Sequence, residues 1–124
     1  MNITITSYEF RDYPLEIRNS LLREAVFAEN KDFIDFLLEA EAVPEEGMIA
    51  SVISKNTEML IYFLEKGADV TYKDNSAFSL AACDGDYEIA KVLKEAGATP
   101  KIEMLHAPLN EGHYKIFEML KTKW

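Results

Sequence analysis

SAFSLAACDGDYEIAKVLKEAGA, residues 76–98, reads as two short helices joined by a tight turn. Ile89, Val92 and Leu93 stand at i, i+3 and i+4, which places them on one face of the second helix. Between the helices, Asp84-Gly85-Asp86 supplies a glycine able to take the left-handed conformation that ends one helix and lets the next begin.

Working outward, the second-helix pattern recurs at Met59, Tyr62 and Phe63, at Phe33, Phe36 and Leu37, and at Ile116, Met119 and Leu120. A second set of columns precedes each one. SLLREAV (20–26), EGMIASV (46–52), SAFSLAA (76–82) and EMLHAPL (103–109) carry Leu22, Met48, Phe78 and Leu105 at their third position. Their sixth position holds Ala25, Ser51, Ala81 and Pro108, compact residues that let one helix lie close against another. AEN (28–30), SKN (54–56), DGD (84–86) and EG (111–112) form the turns, with Gly or Asn as the left-handed residue. The unit is helix, turn, helix and return loop, written over 20–45, 46–75, 76–102 and 103–124, and GADVTYKDN (67–75) is one such return loop. No helix pair buries its apolar face alone; stacking three or more builds one continuous core. The expected fold is an all-α solenoid of about four helix-turn-helix repeats.

SAFSLAACDGDYEIAKVLKEAGA resembles the ankyrin repeat, whose signature runs T-P-L-H-x-A-A, two residues, Gly, then E-I-V-K-L-L-L and G-A. Ser76 stands where that family has Thr, Phe78 and Leu80 where it has leucines, and Ala81, Ala82, Gly85 and Gly97 match outright. In the last repeat His106 falls on the family's His, and GHYKIFEML is similar to G-H-x-E-I-x-x-L-L. The resemblance covers residues 20–124; the third and fourth repeats carry it, and the first two follow by periodicity. The family repeat is about 33 residues, whereas these columns lie 26, 30 and 27 apart. The resemblance implies that the missing residues come from the hairpin finger, leaving 67–75 as the loop long enough for one and 41–46 and 97–102 as tight turns. Glu29, Glu41 and Lys55 stand at family glycines, so those turns must close in another way. Pro108 shortens or kinks its helix.

Residues 1–19 lie outside the repeats. ITITSYEF alternates apolar and polar residues as a strand does. Its reading here is an extended N-terminal cap covering the first repeat with Ile3, Ile5 and Phe10; an edge strand pairing with a partner is the alternative. Tyr13-Pro14-Leu15 marks an early helix start, with Pro in the first turn.

The chain of 124 residues is the size of one domain. A single cysteine, Cys83, excludes an internal disulfide and a cysteine zinc site and points to an intracellular, cytoplasmic protein. Charged residues interrupt the N-terminus where a signal peptide needs an apolar run, and no stretch is long enough for a membrane span. With 22 Asp+Glu against 13 Lys+Arg, the net charge of −9 argues against direct nucleic-acid binding and fits a basic protein partner. Residues 29–46 concentrate seven acids against Lys31 alone, a candidate docking surface or a solvated face.

No catalytic constellation, metal-ligand set or cofactor fingerprint occurs, so the expectation is a non-enzyme without cofactor or metal. Cys83 lacks a histidine in its own repeat; His106 lies one repeat along without an orienting acid, and His113 reads as a turn residue. DGDYE (84–88) is a fragment of a calcium loop without its remaining ligands. Partners of ankyrin stacks lie against the first helices and loop tips. The resemblance therefore implies a surface of Asn19, Phe27, Ala28, Glu45, Ile53, Ser54, Tyr72, Lys73, Asp74, Asn75, Cys83, Asp84, Asn110 and Glu111. Tyr72, on the longest loop, is its expected anchor. The function expected is protein–protein recognition by a monomer: an inhibitor or immunity-type protein occluding a basic partner such as a nuclease toxin or a host factor. The alternatives are an adaptor within a larger assembly and an acidic mimic of nucleic acid.

Overall fold

A computed structural model describes residues 6–99 and 111–122. Among the described residues the chain is all-α: α1 (Ser7–Phe10), α2 (Leu15–Phe27), α3 (Lys31–Glu39), α4 (Pro44–Ile53), α5 (Thr57–Glu65), α6 (Tyr72–Asp84), α7 (Tyr87–Glu95) and α8 (Glu111–Thr122). Contacts run in sequence order. α2 packs on α3 and α4, α4 on α5 and α6, and α6 on α7 and α8, while α1 sits against α3.

The columns read from the sequence are the core. Leu22, Met48 and Phe78 are fully buried, as are Leu37, Phe63 and Leu93 on the facing helices. Each such side chain contributes roughly 1.5–3 kcal/mol of hydrophobic stabilisation. Ala25, Ser51 and Ala81 lie buried between α2, α4 and α6, and the Ser51 hydroxyl donates to the Gly47 carbonyl at 2.8 Å. A further column, Ile34, Leu60 and Ala90, is also fully buried, whereas Phe33 and Met59 are only half-buried. In α3 and α5 the apolar stripe is thus centred nearly one residue later than the i, i+3, i+4 spacing indicated, whereas in α7 Ile89 of the expected column is buried too. Bulk is exchanged within a layer. Phe63 lies where the neighbouring pairs have leucine, and Gly47 opposite it leaves room: a Cβ on Gly47 would fall 2.3 Å from the ring.

Six helix ends close by one hydrogen-bond pattern. After α2, the Asn30 amide donates to Ala25 O and the Glu29 amide to Val26 O. The same pair of bonds ends α3, α4, α5, α6 and α7, around Glu41, Lys55, Gly67, Gly85 and Gly97. All six central residues have positive φ. This corrects the expectation for Glu29, Glu41 and Lys55: the turns are not closed in another way, because these residues adopt the left-handed conformation themselves. The asparagines have a different task. Asn30 and Asn56, like Asp86, cap the following helix by accepting from the third amide of its first turn.

The N-terminal segment is also corrected. Tyr8 and Phe10 lie in helix α1, capped by Thr6, and not in a strand; Ile3 and Ile5 lie outside the described residues. Phe10 does cap the first pair, buried against Phe36 and Tyr13 with ring centres 5.7 and 4.4 Å away. Local signals outweigh alternation here, since a capped turn satisfies its own amides while a lone strand leaves them open. Pro14 precedes α2 as expected. Residues 67–75 form no hairpin: Lys73, Asp74 and Asn75 make a left-handed turn that leads into the regular part of α6. Gly112 belongs to α8 and not to a turn, and Leu105, His106 and Pro108 lie outside the described residues.

Candidate partner-binding surface

The implied binding residues fall into two groups. Phe27 and Ile53 close α2 and α4, and Cys83 lies one residue from the end of α6. All three are exposed, Phe27 at 46% and Ile53 at 51%. They occupy one column, two residues beyond Ala25, Ser51 and Ala81. Ala28, Ser54 and Asp84 follow them and are exposed too. A shallow groove of about 610 Å³ runs beside Phe27, lined also by Glu29, Ser54, Lys55 and Glu58.

The second group holds the helix pairs together. Asn19 Oδ1 accepts from the Val43 amide at 2.8 Å, Glu45 Oε2 from the Asp69 amide at 2.7 Å, and Asn75 Oδ1 from the Thr99 amide at 3.0 Å. Each bond reaches 24 residues ahead, from the start of a first helix to the loop that closes its own pair. Asn75 is buried and donates back to the Thr99 carbonyl at 3.3 Å. Neither Glu45 nor Asn75 is thus a free recognition group. Tyr72 is half-buried, its hydroxyl donating to Glu46 at 3.1 Å; burial and this carboxylate raise its pKa. Lys73 and Asp74 are exposed at the tip of the left-handed turn. Asn110 lies outside the described residues, and Glu111 begins α8.

Glu46 is the centre of this second group. Its buried carboxylate faces Arg23 at 2.6 Å, Lys73 at 3.4 Å and the Tyr72 hydroxyl, so it ties α2, α4 and the start of α6. Other acids of the 29–46 run are engaged in the same way. Glu29 accepts from Asn56, Asp35 from the Tyr62 hydroxyl, and Glu39 from Ser7, while Glu41 pairs with Arg11. Tyr62 is pushed up to about 12, by partial burial first and by Asp35 second; Lys31 and Lys66 stand 4.7 and 5.2 Å from its ring centre. Asp69 is held below the ordinary carboxylate range by the Thr71 hydroxyl and amide. The acidic run is largely an adhesive between helices, a role that a linear count of charge does not reveal.

The sequence also missed three cationic or aromatic groups. Arg18 donates to the Ala40 and Glu41 carbonyls at the C-terminal end of α3, at 2.8 and 3.0 Å, and Arg11 donates to Glu39 O. Cations there oppose the negative end of the helix dipole. His113 is buried, and its Nε2 lies 2.9 Å from the Cys83 carbonyl oxygen, so this ring nitrogen carries the proton and caps α6. It is a bridge between helices and not a turn residue, and it addresses the backbone carbonyl of Cys83.

No family model matches the chain, nor does any curated protein or solved structure. No cluster among the described residues could hold a metal ion, and no helix among them is long and apolar enough to cross a membrane.

Proposed function

We propose that this chain is a non-catalytic protein–protein recognition module, an ankyrin-like stack of four shortened repeats, that binds and occludes a basic protein partner inside the cell as an inhibitor or immunity-type protein does. One observation carries the reading: three successive helix pairs repeat the same buried columns, turn closures and loop staples, yet leave Phe27, Ile53 and Cys83 exposed in one register. A side chain placed identically in each unit and left exposed is available to a partner. The acidic balance of the chain would steer a basic protein toward it.

The test is capture from the native host at low and moderate salt, with the retained proteins identified by mass spectrometry. One basic protein retained at equal stoichiometry and released as salt rises is the expected result. Several subunits of one assembly, held through moderate salt, would replace the inhibitor reading with an adaptor. No retained protein at either salt would discard partner occlusion.

A further inference from the structure

Building on that recognition reading, we infer that the partner presents a basic amphipathic α-helix, and that this helix lies along the row Phe27–Ile53–Cys83. The structure moves the docking site away from the acidic run, whose carboxylates are mostly held between helices. Three acids that are not so held border the row. Glu24 stands one turn before Phe27 on α2, Glu58 lines the groove beside Phe27, and Asp84 follows Cys83. All three are exposed, and none has a side-chain partner among the described residues. Lys55 is the cation lining the groove. Ile49 and Leu80, each half-buried, lie one turn or less behind Ile53 and Cys83 and widen the apolar strip.

Spacing selects the element that fits. α2, α4 and α6 are in direct contact through small residues, so successive members of the row are separated by about the 8–10 Å of packed helix axes. Residues seven apart on an α-helix recur on one face every ~10.5 Å. Same-face residues of a β-strand recur every ~6.7 Å and then every ~13 Å, matching neither step. A helix of about 18 residues with apolar side chains at i, i+7 and i+14 therefore meets all three positions. Lys or Arg on both sides of that stripe would face Glu24, Glu58 and Asp84, so apolar contact supplies affinity and the carboxylates supply orientation and encounter rate.

The probe is a synthetic peptide of about 18 residues, Leu at seven-residue spacing with Lys and Arg flanking it, compared with a scrambled peptide of identical composition by fluorescence anisotropy. The expected result is saturable binding of the patterned peptide and much weaker binding of the scrambled one. Phe27→Ala with Ile53→Ala should lower affinity about tenfold or more. Glu24→Gln, Glu58→Gln and Asp84→Asn together should slow association and flatten its salt dependence. Both sets alter exposed side chains, so unchanged circular dichroism and melting accompany the expected losses. Equal binding of both peptides, no binding of either, or wild-type affinity in the alanine variant would overturn the proposal. A native partner captured equally by the wild type and the alanine variant would discard this row while leaving partner recognition standing. Peptide binding without any native basic partner would have the opposite meaning.

Discussion

The α6/α7 pair and the α2/α3 pair end their helices identically, yet one does so with Gly85 and Gly97 and the other with Glu29 and Glu41. Between them, α4/α5 uses Lys55 and Gly67. A left-handed residue with a Cβ costs roughly 1–2 kcal/mol more than a right-handed one. That cost is met in the first two pairs because the alternative is worse. Turning differently would leave the last helix carbonyls without donors and would pull Leu37, Phe63 and their neighbours out of register. The comparison teaches that packing and hydrogen bonding dictate the turn, while residue type sets only its cost.

The largest expected effect attacks the packing half of the comparison. Gly47→Ala drives a Cβ into the fully buried Phe63 ring and should destabilise by about 1–3 kcal/mol in urea unfolding. In the third pair Ala77 stands at the position of Gly47 and Leu93 at that of Phe63, so adding Phe63→Leu to Gly47→Ala should recover most of the loss. Simple additivity of the two changes would mean the layers do not exchange volume. Next comes Gly85→Ala, which imposes on the third pair the conformation the first two tolerate; it should lower stability by about 1–2 kcal/mol. The reverse change, Lys55→Gly, removes a left-handed lysine whose side chain has no partner among the described residues. It should raise stability by about 0.5–1 kcal/mol, the relief of strain less the entropy of glycine. A destabilised Lys55→Gly would show that lysine stabilises its turn through something other than backbone geometry.

The smallest effect concerns Tyr62, whose hydroxyl bridges the first two pairs through Asp35. The folded state holds this proton to about pH 12, against an ordinary value of 10. The unfolded chain releases it first, so the stabilisation is complete below about pH 10 and fades as pH rises toward 12. Tyr62→Phe should flatten the alkaline fall in melting temperature, and it should remove a late-titrating tyrosine from the phenolate absorbance of the wild type. An unchanged alkaline limb would remove this bridge from the account of how the pairs are joined.

Much of this was written in the residues themselves. Leu22, Met48 and Phe78 and the positions of six turns could be read because helix period and chain reversal are local demands. The strand reading failed at Tyr8 and Phe10 because alternation there cannot outbid a capping threonine, with the Glu9 amide donating to its hydroxyl. Left-handed Glu29 and Lys55 were illegible because side-chain preference argues against a conformation that only the assembled helices require.

The candidate site divides along the same line. By itself the sequence determined a helical chain of recurring pairs and its buried columns, and it set Phe27, Ile53 and Cys83 in one register. Tertiary structure alone decided that Glu45, Glu46 and Asn75 join neighbouring elements while Glu24, Glu58 and Asp84 face water. A carboxylate on a helix surface looks the same in sequence whether solvent or an amide 24 residues away lies opposite, and that distance exists only once the helices are stacked.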